Sequence, residues 1–361
     1  MKNNKTLVNV QPLDSLFEQV SKLIEQARSF VASTVNTAMT ATYYEIGRFI
    51  VENEQQGNHR ASYGKQVLKG LSERLTQRFG KGWSVETLDK CRKLFRVYSI
   101  SSTVQTNSSD TNLVHSVDEI PLPHVSWNHL QILMRIDNQD ERHFYEIESV
   151  KQNWSVRQLQ RQYASSLYER LALSRDKDKV MRLANEGQTI ATSDDIIKNP
   201  ITLEFLGLKP DSSYSESDLE SAIITRLQQF LLEMGKGFLF EARQKRFTFN
   251  EDNYYVDLVC YNRLLQCYVL VDLKTTKLSH QDLGQMQMYV NYYDRYVKEE
   301  FEKPTIGILL CKDKEDALVE LTLPKDANIY AQQYALCLPN KQLLQTKLKE
   351  WIDEIEDNKM E

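Results

Sequence analysis

Residues 254–277 read YYVDLVCYNRLLQCYVLVDLKTTK. Two runs with the alternation and the β-branched and aromatic content of strands flank a short polar break at Asn262 and Arg263. Three charges interrupt them: Asp257 in the first run, Asp272 and Lys274 in the second, at places where a buried strand ordinarily carries another apolar residue.

Period-two alternation puts Asp272 and Lys274 on one side of the second strand and Val271 and Leu273 on the other. If residues 262–265 form the loop, Tyr261 pairs with Gln266, Asp257 stands opposite Leu270 and diagonal to Asp272, and Cys260 faces Cys267. That register lays Val256, Leu258, Cys260, Cys267, Val269, Val271 and Leu273 down as one dry layer and gathers the three charges on the opposite face. A bulge or an odd-length loop would reverse one strand and part them.

Two carboxylates held side by side repel unless a positive charge lies between them, which favours a divalent cation with hard oxygen ligands, Mg²⁺ first. A lysine beside such a pair can orient a water or stabilise charge on a phosphate oxygen. D-x-K alone is short and common, and equally describes a buried ion pair or a solvated hairpin face. The parity of Asp257, the apolar strands and a helix leading in with its own carboxylate weigh for a site. That carboxylate, Glu220, has two open readings: partner of Ser217 in an S-x-x-E capping box, or an acid beside Leu219 that reaches the sheet.

Around this hairpin the chain falls into two parts. Residues 1–185 read as helical, with apolar residues recurring at three and four in LDSLFEQVSKLIEQARSFVASTV and ATYYEIGRFIVENEQ. WSVETL, VSWNHL and WSVRQL mark three helix starts whose tryptophans suit a core. The Ser/Thr/Asn-rich stretch at about 99–124 is expected as an exposed loop. Residues 186–199 are the expected joint, 200–345 an alternating α/β domain, and 346–361 an acidic C-terminal helix. Within the second part the pattern predicts a helix from Ser217 to Met234, strands FLFEARQKRFTF, YYVDLVCY and QCYVLVDLK, a helix from Ser279 to about Tyr296, a strand TIGILLC and a strand YALCL.

Glu220, Asp257 and Asp272-x-Lys274, on a helix followed by three strands, a helix and a strand, resemble the PD-(D/E)XK nuclease superfamily. More closely, VSWNHLQIL, FYEIESVKQNWSVRQLQRQ, ESDLESAI, FLLEMGKGFLFEARQKRF, GQMQMYVNYYD and PTIGILLCKDK look like the YhcG-like nuclease family. The resemblance implies a restriction-endonuclease-like αβββαβ core, a mixed sheet flanked by helices, behind a helical DNA-binding domain. It implies a Mg²⁺-dependent endonuclease, with Mn²⁺ able to substitute, in which Asp257, Asp272 and the Leu273 backbone carbonyl hold the metal and Lys274 serves the attacking water. Glu220 would be the accessory acid and Gln285 a helix residue facing the same site. Asp at 272 stands where Glu is commoner, and Val256 replaces the proline of the motif's name. A catalytically silent module that binds DNA or a protein partner is the competing expectation.

The formal net charge of −5 argues against nucleic acid on average. Residues 60–96, however, hold ten Lys/Arg against three Asp/Glu, and residues 151–182 hold eight against three. Lys90, Arg92, Lys93 and Arg96 on one helix, Arg157 and Arg161 on another, and Arg243 and Arg246 before the hairpin are the candidate phosphate contacts, on DNA or on RNA. Double-strand cleavage by one site per chain implies a homodimer. Five cysteines form no zinc or disulfide pattern, the N-terminus has no apolar signal, and no 18-residue apolar run exists, so a reducing cytoplasm and no membrane partner are expected. The absence of a Walker A or G-x-G-x-x-G segment excludes the commonest nucleotide folds.

Overall fold

The structure, a computed structural model, describes residues 11–56, 61–99, 120–174, 177–198, 200–209, 213–324 and 327–357. Most of the expected loop at 99–124, the span 100–119, lies outside them, as do residues 358–361 of the acidic end. Contacts divide the chain into two compact units, Met1–Arg142 with Ser149–Val156, and His143–Glu148 with Arg157–Glu361. By contacts the second unit begins at Arg157, ahead of the expected joint at 186–199.

The first unit is helical, as the periodicity predicts: α1 (Gln11–Gln56), α2 (Ala61–Phe79), α3 (Val85–Ser99), α4 (Trp127–Leu133) and the ends of α5 (Gln139–Lys151). Ile50, Leu68 and Leu88 form its buried centre, with Ile46, Leu71, Leu75 and Trp83 packed around them. The α1 backbone passes so near α3 that a Cβ on Gly47 would lie 2.0 Å from the Cys91 carbonyl oxygen, which only glycine permits. Tyr43 meets Trp83 and Trp127, with ring centroids 6.3 and 4.6 Å away, and Trp154 is buried, so all three helix-start tryptophans serve packing. No helix among the described residues is long and apolar enough to cross a membrane.

The second unit adds α6 (Val156–Ala164), α7 (Leu167–Ala172) and α8 (Lys177–Glu186) to a six-stranded sheet. In chain order the sheet unit runs β1 (Ile201–Thr202), α9 (Glu216–Thr225), α10 (Leu227–Met234), β2 (Phe238–Phe249), β3 (Asp252–Asn262), β4 (Cys267–Lys277), α11 (His280–Tyr296), β5 (Ile306–Asp313), α12 (Asp316–Thr322), β6 (Ile329–Ala335) and α13 (Lys341–Asp357). The strand order is β1-β6-β5-β4-β3-β2. β2, β3 and β4 are antiparallel neighbours, and β4, β5, β6 and β1 run parallel. This is the mixed sheet the αβββαβ pattern demands.

Each face of the sheet carries its own apolar layer. Leu258, Cys260, Cys267, Val269, Val271 and Leu273 pack under Leu219 and Ile223 of α9 and Phe230 and Met234 of α10. Val259, Leu270, Leu309 and Cys311 pack on the other side against Leu283, Met286, Tyr289 and Val290 of α11. The fit of α11 on β5 is close enough that a Cβ on Gly307 would meet Met286 at 2.7 Å.

Four local expectations need correction. Tyr261 pairs with Tyr268 and Cys260 with Val269, so the hairpin is shifted by two residues and Cys267 faces Asn262, not Cys260. The turn is residues 263–266: the Asn262 side-chain oxygen accepts the Leu264 and Leu265 N–H groups at 3.0 and 3.1 Å, and Gln266 takes φ 56°. A two-residue shift keeps parity, which is why the two layers stay separate. Val256 belongs to the Val259 layer and not to the Leu258 layer, so the alternation of β3 slips at Asp257. Finally, the helix from Ser217 is two helices broken at Arg226, and β6 ends at Ala335 where the apolar run YALCL had suggested a later strand.

Candidate active site

The helix carrying Glu220 begins two residues earlier than S-x-x-E at Ser217 suggests. In SESDLE two capping boxes overlap, and the fold uses the first: Ser215 accepts the Asp218 N–H at 3.1 Å while Asp218 accepts the Ser215 N–H at 2.9 Å. Glu220 is thereby released from capping and turns inward, 3% exposed.

Asp272 and Lys274 leave β4 on one side, as alternation requires. Lys274 Nζ lies 2.8 Å from Asp272 Oδ2 and 3.8 Å from both Glu216 Oε2 and Asp282 Oδ1. Asp257 joins them from β3: its Oδ2 accepts the Leu273 backbone N–H at 2.8 Å. The structure thus brings Asp257, Asp272 and Lys274 to one place despite the slip at Asp257. Its other oxygen, Oδ1, accepts Gln244 Nε2 at 2.9 Å, and the same amide nitrogen donates to Glu220 Oε2. Gln244 therefore ties the acid of α9 to the acid of β3. Arg243 Nε lies 2.7 Å from Glu220 Oε1, an ion pair without hydrogen-bond alignment, so among the described residues that buried oxygen has no donor.

The electrostatics are lopsided. Five carboxylates, Glu216, Glu220, Asp257, Asp272 and Asp282, stand against the cations Lys274 and Arg243. Burial and then the neighbouring Asp257 push the Asp272 carboxyl up to about 7, against the pull of Lys274. For Lys274 burial acts downward, yet Asp272, Glu216 and Asp282 outweigh it and hold the ammonium above its ordinary value. Asp282 also completes the capping box with Ser279 at the start of α11, which fixes that carboxylate near Lys274. Gln285, one turn on, donates to Tyr289 Oη. Burial first and Asp272 second push that phenol up to about 12, so Tyr289, the partner of Gln285, feels the charge of Asp272.

Two oxygen donors of like charge, one of them partly protonated near neutrality, suit a hard divalent ion. Among the described residues no three His, Cys, Asp or Glu side chains are arranged to hold a metal, so Glu220 does not complete a three-carboxylate cage. Its carboxylate is turned to Gln244 and Arg243 instead.

The candidate phosphate contacts divide. Arg157, Lys93, Arg243 and Arg246 are exposed and Lys90 is half-buried. Arg92 and Arg96 are engaged by Glu54, at 2.8 and 2.9 Å, and Arg92 by Asp89 as well. Arg161 is withdrawn from any nucleic-acid role by Glu233 at 2.9 Å and Glu204 at 3.1 Å. It belongs to a buried network that the sequence did not announce. Glu233 accepts Arg170 at 2.5 Å and the Thr202 N–H at 2.9 Å, and Lys198 donates to the Glu233 carbonyl.

Gln244 is the other residue that sequence reasoning missed, and a signal existed. Phe249 pairs with Asp252 across the two-residue turn Asn250 and Glu251, both at positive φ. Counting back from a two-residue hairpin turn sets Gln244 opposite Asp257.

The sequence profile described as "YhcG PDDEXK nuclease domain" matches residues 194–349, and that of the "DUF1016 N-terminal domain" matches residues 19–170. The chain is 36% identical over 352 residues to "Putative nuclease YhcG" of Escherichia coli (strain K12), covering 92% of each. Partial overlaps exist with a repair endonuclease from Pyrococcus abyssi (19% identity, 36% of this chain and 50% of that one, TM-score 0.24) and with the EndoMS-dsDNA2 complex (16%, 37% and 50%, 0.25).

Proposed function

This chain belongs to the YhcG nuclease family, and from that premise we propose that it is a divalent-metal-dependent endonuclease that hydrolyses DNA phosphodiester bonds. The observation that carries the proposal is the meeting of Asp257, Asp272 and Lys274 on neighbouring strands, with Asp257 bound to the Leu273 N–H between Asp272 and Lys274, and Lys274 paired to Asp272. Asp257, Asp272 and the Leu273 carbonyl would hold the ion, Mg²⁺ with Mn²⁺ as a substitute. When bound it would supply Lewis-acid stabilisation of charge on a phosphate oxygen.

The chain's own residues divide the remaining work. Lys274, its ammonium held charged by three carboxylates, can orient a water or meet a phosphate oxygen. Gln244 keeps Asp257 aimed by donating to one of its oxygens while the Leu273 N–H holds the other. Glu220 acts through Gln244 as a positioning acid, and Gln285 and Tyr289 supply neutral donors beside Asp272. Arg243 and Arg246 lie on the strand that bears Gln244 and would contact phosphates there, with Arg157, Lys90 and Lys93 as contacts elsewhere. The helical N-terminal part is assigned to nucleic-acid binding. Repair, recombination or defence in the cytoplasm, and a homodimer for double-strand cleavage, fit such an enzyme.

The test is incubation of the purified protein with supercoiled, linear and branched DNA, and with RNA, in Mg²⁺, Mn²⁺ or chelator, beside Asp257→Ala and Lys274→Ala. Metal-dependent cleavage lost in both variants is expected. If all three proteins bind DNA alike and none cuts any substrate, the silent binding module is the correct description.

A further inference from the structure

A cleft of about 320 Å³ opens between α11 and β2, lined by Phe247, Phe249, Tyr292 and Tyr296 with the amides Gln287 and Asn291. Its size is at the small end of ligand sites, which begin at about 300 Å³. The aromatic rings form a ladder. Phe247 stacks nearly parallel on Tyr254 (5.4 Å, 23°) and on Tyr292 (4.1 Å, 22°), and Tyr296 leans on Tyr292 at 5.3 Å. The end of the ladder is open: Tyr296 is 64% exposed and Phe249 44%. Two large rings left in water beside a stacked pair are a platform for a further planar group.

Three more features narrow the ligand. Among the described residues the buried Gln287 Oε1 has no hydrogen-bond donor, and its amide nitrogen donates to Asn291, so two amides line the wall of an aromatic slot. The charged residue of the lining is a cation, Arg295. Gly284 sits within α11 where a Cβ would meet nothing within 4 Å, so the helix forgoes a side chain that would fill the cleft, at a cost in helix stability. The cleft is also coupled to the acid pair. Tyr289 presents its ring edge to Phe247 at 5.5 Å and its hydroxyl to Gln285, beside Asp272.

Stacking faces, amide hydrogen-bond groups and a cation together describe a nucleobase with its phosphate. We infer that this cleft takes an unpaired base of the substrate, so that the preferred substrate is nucleic acid with a bulge, branch, mismatch or single-stranded segment, because a base within an intact duplex cannot enter. The inference rests on the reading of the protein as acting on nucleic acid.

The test uses the full chain in chelator, so that nothing is cut, with duplexes carrying 2-aminopurine either paired or as a one-base bulge. Quenching of the bulged probe on binding and about tenfold tighter binding of the bulged duplex are expected, both lost in Phe249→Ala and Tyr296→Ala. Gly284→Leu should fill the cleft and abolish the preference without lowering the melting temperature. Equal affinity for both duplexes, unchanged by all three variants, overturns the inference. A parallel Mn²⁺ cleavage assay separates the two claims. Cleavage of intact duplex with no bulge preference overturns the cleft and leaves the nuclease, whereas quenching and preference without cleavage on any substrate sustain the cleft and remove the nuclease.

Discussion

Two clusters of buried charge in the sheet-bearing unit are built from the same residue types and behave in opposite ways. Around Glu233 one carboxylate faces Arg170, Arg161 and Lys198. Burial would raise its pKa, yet those three cations pull it down to about 2, and burial pushes the Lys198 ammonium down to about 8. Around Asp272 the ratio is reversed: a second carboxylate, Asp257, stands alongside, Lys274 is paired with Asp272 and lies near Glu216 and Asp282 as well, and the Asp272 carboxyl rises to about 7. In the first cluster the buried carboxylate is met by more than one cation, and the network fastens α6 and α7 to α10 and β1. The second has negative charge left over, which a cation from solution can answer. Compensation makes a charge structural; its lack leaves chemistry to be done.

This contrast can be broken by substitution. The largest effect is expected for Lys274→Ala, with cleavage reduced about 10³-fold in a protein whose melting transition stays near that of the parent. An equal loss of stability would make Lys274 a structural residue like Arg170. Glu233→Gln should do the reverse: it leaves three buried cations short of their anion and destabilises by about 3–5 kcal/mol, measured by denaturant unfolding, while the folded fraction keeps its cleavage chemistry.

The pH dependences differ in sign. Glu233 has its folded pKa depressed, so its contribution is full above the ordinary glutamate range and is lost as pH falls toward 2. Asp272 has its folded pKa raised, so in metal-free protein its ionisation costs stability progressively as pH climbs from about 4 to about 7. Asp272→Asn should therefore stabilise metal-free protein by about 2–4 kcal/mol at pH 8, with the gain shrinking toward pH 4. A gain that is the same at both ends would contradict the assignment. The smallest effect is expected at Arg96→Ala, whose guanidinium is engaged by Glu54 at the surface: under about 1 kcal/mol in stability and less than twofold in DNA affinity.

What could be read in the sequence follows the range of the interactions involved. Alternation along β3 and β4 separated charges from core because parity depends only on neighbours, and it survived a register error of two residues. The slip at Asp257 was not legible, since it arises where Gln244, at φ 45°, crosses to meet Asp257 from another strand. S-x-x-E at Ser217 marks the helix start to within two residues, but Ser215 and Asp218 offer the same geometry and the fold uses them, which leaves Glu220 to the other of its two open readings. The network of Glu233 with Arg161 and Arg170 joins residues more than 60 positions apart. The one local hint was a glutamate within the apolar FLLEM. Arg161, counted among phosphate contacts from composition, was lost to that network for the same reason.

Whether Asp257 and Asp272 form an acid pair that binds a divalent cation is decided by calorimetric titration of Mg²⁺ and Mn²⁺ into the metal-free chain at pH 8 and pH 5, for the parent and for Asp272→Asn. Binding at pH 8 that weakens about tenfold or more at pH 5, as Asp272 takes up its proton, and that disappears in the variant, is the predicted result. Binding that is indifferent to pH and to the loss of the Asp272 charge would contradict it.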